Sequence, residues 1–116
     1  MEKEFIPYEQ AVALKELGFD EPCFRGWYED EGLYYHPDSD IVLDNPTFSQ
    51  AFRWFREKYG YDVTIKKCTP SEYKFEIEQL FVENNYYFID FPFPSYEVAE
   101  LECLKKLIEI VKREKL

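Results

Sequence analysis

Cysteine, histidine and glycine are scarce in this 116-residue chain, and each scarcity excludes something. Cys23, Cys68 and Cys103 are odd in number and widely spaced, with no CxxC pair. That pattern argues against a disulfide framework and against a cysteine zinc site. His36 is the only histidine, so no Ser-His-Asp order can be drawn around a choice of imidazoles. Four glycines form no glycine-rich phosphate cradle and no dinucleotide fingerprint. No cofactor is expected. Long apolar runs are missing too. None approaches the ~20 residues that span a bilayer, and the N-terminal Met1-Glu-Lys-Glu-Phe-Ile-Pro7 lacks a signal-peptide pattern. A cytoplasmic protein with no membrane partner is the expectation.

Basic residues are outnumbered, with 14 Lys and Arg against 24 Asp and Glu for a net charge of −10. Residues 1–45 hold 12 acidic and 3 basic side chains, or −9, whereas residues 46–116 hold 12 and 11, or −1. A negative field of this kind repels a phosphate backbone, so no nucleic-acid partner is expected. Aromatics are abundant at 20%, with 10 Tyr, 11 Phe and 2 Trp. Each buries a large area, which lets one small domain over residues 1–116 reach useful stability.

The clearest helix is Asn45 to Gly60. Asp44 or Asn45 supplies a cap, Pro46 suits the first helical position, and Gly60 suits a left-handed stop. Phe48, Phe52, Phe55 and Tyr59 recur at helical spacing on one face, with Trp54 on the flank. Before it, Pro7 to Leu17 reads as a helix stopped by Gly18. Cys23–Tyr28 and Leu33–His36 read as a hairpin around Asp30-Glu-Gly32. Ile41-Val-Leu43 is a short apolar lead into the aromatic helix. After Gly60, three alternating stretches form an antiparallel meander. Tyr73, Phe75 and Ile77 face one way and Glu72, Lys74, Glu76 and Glu78 the other. Tyr86 to Phe91 is apolar on both faces, and Pro92-Phe-Pro94 ends the sheet. Ser95 caps a helix from Tyr96 to Glu114 whose apolar stripe widens to about 200°, against ~100° for an ordinary surface helix.

The predicted order is α-β-β-α-β-β-β-α, an α+β fold with an antiparallel sheet and helices mostly on one face. Its last five elements follow the order of a double-stranded-RNA-binding domain. The start of the last helix, Ser95-Tyr-Glu-Val-Ala-Glu-Leu-Glu102, is acidic, which argues against that use.

Three stretches carry a resemblance: Pro7 to Cys23, Phe48 to Gly60 and Tyr96 to Lys112. Together they cover about half the chain, and they resemble a group of small uncharacterised proteins of bacterial and phage genomes. The resemblance implies a mobile-element setting and no mechanism.

Three clusters are candidates for chemistry or contact. Glu29 and Glu31, with His36, Asp38 and Asp40, could hold a divalent cation, although the spacing lacks the glycine and distal glutamate of a calcium loop. Arg53, Trp54 and Arg56 combine residue types enriched at binding hot spots, with Trp54 as an anchor if exposed. Cys103, Leu107 and Ile110 lie on the widened face of the last helix and mark a homodimer interface. The favoured reading is a non-catalytic domain that binds a protein partner. The second is a small-molecule- or metal-binding protein, or an enzyme, using the acidic stretch from Glu29 to Asp40.

Overall fold

The computed structural model describes residues 4–23, 25–28, 32–35, 41–80 and 85–114. The elements run α1 (Tyr8–Glu16), β1 (Arg25–Tyr28), β2 (Gly32–Tyr35), β3 (Ile41–Asn45), α2 (Phe48–Tyr59), β4 (Tyr61–Thr69), β5 (Glu72–Leu80), β6 (Asn85–Phe93) and α3 (Tyr96–Glu114). The α+β class and the antiparallel pairing hold. Two differences from the sequence reading stand out. Ile41–Asn45 is a strand in its own right, and the six strands among the described residues form two three-stranded sheets. The chain divides into two compact units, residues 1–51 and 52–116.

In the first unit the strand order is β2-β1-β3, all antiparallel, so β1 is central. The extra strand completes the pairing that a lone hairpin leaves open on one edge. α1 packs against β3. Its backbone starts from the Pro7 carbonyl, which accepts from Gln10 and Ala11. It stops at Gly18, whose φ of 101° is open to glycine and strained for other residues. Ile6, Ala11, Leu14, Leu17 and Phe19 are buried there.

The start of α2 corrects the expected cap. Asn45 is the last residue of β3 and is buried, with its Nδ2 donating to the Ile6 carbonyl at 2.8 Å. Thr47 takes the capping role, its Oγ1 accepting from the Gln50 backbone N–H at 3.1 Å. A threonine two positions downstream satisfies the free amides equally well, which releases Asn45 for the interior.

In the second unit the sheet order is β4-β5-β6, a meander with β5 central. Tyr61 pairs with Gln79, Ile65 with Phe75 and Ile77 with Phe88. α3 packs on all three strands. Side chains alternate across the sheet, so Tyr61, Phe75, Ile77 and Gln79 are buried while Asp62, Thr64 and Glu78 are exposed. Phe75 stacks between Phe88 at 5.9 Å and Phe93 at 5.6 Å. β6 runs on to Phe93 through a cis Phe91–Pro92 bond, past the point where proline was expected to end the sheet. β6 is an edge strand with a register shift opposite Lys74, and both features accommodate a residue without an N–H. Ser95 caps α3 as read, accepting from the Val98 N–H at 3.1 Å.

Candidate functional site

Trp54 is buried, at 5% exposure, and its ring meets Tyr59 edge-on at 5.5 Å. Exposure was the condition for Trp54 to act as an anchor, and it is not met. The aromatic face of α2 is broad enough to take in the flank where Trp54 sits. Arg53 and Arg56 are exposed, and Lys58 lies over the Trp54 ring at 5.3 Å. The last two turns of α2 thus present Arg53, Arg56 and Lys58 with Glu57 as their acidic neighbour, a locally basic helix end.

The widened face of α3 is also accounted for inside one copy of the chain. Cys103 and Leu107 are fully buried and Ile110 nearly so. The homodimer interface expected at these three positions finds no exposed surface to use. Burial pushes the Cys103 thiol up, as does the Glu100 carboxylate, so it is not a ready nucleophile. The cation candidates Glu29, Glu31, His36, Asp38 and Asp40 lie outside the described residues. Among the described residues no three His, Cys, Asp or Glu side chains cluster to hold a metal.

Beside the basic end of α2 is an open hollow of about 460 Å³, lined by Lys58, Tyr59, Gly60, Gln79 and Glu114. Gln79 donates its Nε2 to the Tyr59 carbonyl, and the Tyr61 hydroxyl donates to Glu114 Oε1. Burial, then the bond to Glu114, pushes the Tyr61 phenol well up, so it stays a donor. The Tyr59 hydroxyl is buried and meets no hydrogen-bond partner among the described residues.

The sheet face away from α3 holds a second arrangement. Glu76 on β5 accepts from Tyr87 of β6 at 2.9 Å and pairs with Lys74 at 3.1 Å and Lys66 at 3.6 Å. The Tyr87 hydrogen bond, then that from Lys74, holds the Glu76 carboxyl below its ordinary range. Along β6, Tyr87, Ile89 and Phe91 stand out at 58, 36 and 59% exposure. The apolar character of both faces of Tyr86–Phe91 was the signal for this stripe. The Glu76 network had no such signal, because it depends on register across three strands.

At the start of α3, Glu100 is half-buried. Burial, then the Glu97 carboxylate, pushes its carboxyl up to about 7, where a group can both give and take a proton at neutral pH. Tyr96 packs edge-on against Tyr73 at 6.1 Å nearby. By position alone Glu100 serves the helix dipole, as a glutamate near a helix N-terminus ordinarily does, and its burial carries no local signal.

The chain is 31% identical over 67 residues to the Holliday junction resolvase of Fowlpox virus (strain NVSL). The match covers 57% of this chain and 43% of the viral protein, so the chain spans less than half the length of that relative. No family model matches, and no solved structure matches. The similarity overturns two expectations, the non-catalytic protein-interaction domain and the exclusion of nucleic acid. The exclusion let the −9 of residues 1–45 stand for the whole chain, although residues 46–116 carry only −1. Salt screens exposed charges over about 10 Å at ordinary ionic strength, so net charge alone does not decide a contact made by one part of a chain. No helix among the described residues is long and apolar enough to cross a membrane.

Proposed function

We propose that this chain is a DNA-binding part of a junction-processing protein, acting on branched DNA. The single observation that supports this most is the 31% identity to a Holliday junction resolvase across more than half of the chain. The nearly neutral charge of residues 46–116 and the exposed Arg53, Arg56 and Lys58 of α2 add physical support. Phosphate contacts from arginine and lysine position a protein on DNA and carry most of its salt dependence. The hollow beside Lys58 and the neutral-range Glu100 are where substrate contact and proton transfer are best sought.

The test is binding of the full chain to a labelled four-way DNA junction and to a linear duplex of the same sequence. Preference for the junction, weakened by Arg56→Glu and Lys58→Glu, supports the reading. Equal indifference to both DNAs contradicts it.

A further inference from the structure

Five of the six large apolar side chains most exposed among the described residues fall between Tyr87 and Val98. Three of them, Tyr87, Ile89 and Phe91, alternate along β6 and so share the sheet face opposite α3. A strand rises ~3.3 Å per residue, so Tyr87 and Phe91, with Ile89 between them, stand about 13 Å apart. That is about four times the 3.4 Å rise of stacked bases along one strand. Each ring therefore has room for one unstacked base and cannot reach bases stacked within a duplex.

The first ring is held in place before any ligand arrives. The Tyr87 hydroxyl donates to Glu76 Oε1, while Lys74 and Lys66 pair with Glu76 Oε2. One carboxylate thus fixes the ring and gathers two ammonium groups on the same face. Each ammonium has three donors, so a lysine can contact a phosphate while keeping Glu76. Glu78 pairs with Tyr87 and Asp62 with Glu78 in the sheet register, and Glu72 follows on the same face of β5, so this face is mixed in charge. A ligand that relied on charge alone, such as a duplex backbone, gains little here. A ligand that also offers flat apolar faces gains from the rings.

We propose that the β4-β5-β6 face is a stacking platform for single-stranded DNA. Tyr87 and Phe91 each take one base, with Lys66 and Lys74 on the adjoining phosphates. The proposal deepens the branched-DNA reading and rests on it, since branch points expose unpaired bases. Stacking is sequence-tolerant, because every base has a π-face, so no base preference is expected.

The experiment is fluorescence anisotropy of the full chain with a fluorescein-labelled thymidine homopolymer, alongside the four-way junction. Tyr87→Ala and Phe91→Ala are expected to weaken homopolymer binding about tenfold each. Both side chains are exposed, so the variants should melt with the parent, and circular dichroism checks this. Tyr87→Phe separates the ring from its hydroxyl and should keep most of the affinity. The proposal is overturned if the homopolymer is not bound, or if the double alanine variant binds it as well as the parent. Junction binding that survives such an outcome leaves the branched-DNA reading standing. Homopolymer binding without junction preference supports the platform and sinks the junction reading.

Discussion

The Tyr87 hydroxyl donates to the Glu76 carboxylate across two strands, at 2.9 Å, on a sheet face that α3 leaves uncovered. This bond is the largest cause of the low Glu76 pKa, ahead of Lys74. Tyr87→Phe should therefore raise the Glu76 pKa towards its ordinary value. Carboxyl titration by NMR reads this directly. An unchanged Glu76 pKa would mean that the lysines alone hold the carboxylate.

A second prediction concerns the core of the second unit. Phe75 is 1% exposed and stacks on both Phe88 and Phe93. Phe75→Ala removes a ring from a site where neighbours on two strands and α3 have little room to collapse. A loss of about 3–5 kcal/mol in urea unfolding is expected. A loss nearer 1 kcal/mol would mean the sheet closes over the gap.

Asn45 offers a polar counterpart in the first unit. It is fully buried, and its amide satisfies the Ile6 carbonyl. Asn45→Ala leaves that carbonyl without its donor, which should cost about 1–3 kcal/mol. Thr47→Ala removes only the helix cap and should cost about 1 kcal/mol. If Asn45→Ala is the milder of the two, the Ile6 carbonyl finds another donor once the amide is gone.

Glu100 sets a pH dependence. Its pKa is raised from 4.5 to about 7, first by burial and then by Glu97. A carboxyl raised in the folded state favours folding most at low pH, and that contribution is lost as pH rises through the folded value. Glu100→Gln removes the ionisation. The variant should gain in melting temperature relative to the parent as pH rises from 4.5 to about 7, and hold the gain above. Parallel melts across that range would show that Glu100 is fully solvated.

Much of the fold could be read before the structure. Ser95 and the alternation of Tyr73, Phe75 and Ile77 were legible because capping and strand periodicity are local signals. The role of Asn45 was not. Asp, Asn and Thr all cap helices, and only the position of Ile6, 39 residues away, decides which one is drawn inward. Ile41–Asn45 was too short for periodicity to separate a strand from a lead-in. Trp54 falls on the flank of its helix by spacing, but how far the core extends over that flank is a tertiary property. The same holds for Cys103, Leu107 and Ile110. A stripe of about 200° reads as surplus only until the chain's own packing uses it. The site was less legible still. The charge asymmetry was legible, but the pairing of Glu76 with Lys66, Lys74 and Tyr87 exists only through register.

The account stands most directly on branched-DNA binding by the full chain. The measurement is the affinity for a four-way junction over a linear duplex, repeated across a salt series. Preference for the junction is predicted, with log affinity falling linearly with log salt by about 0.9 for each phosphate contacted. Arg56→Glu should lower both the affinity and the slope. Absence of binding to either DNA at low salt, by protein shown to be folded, would contradict the account.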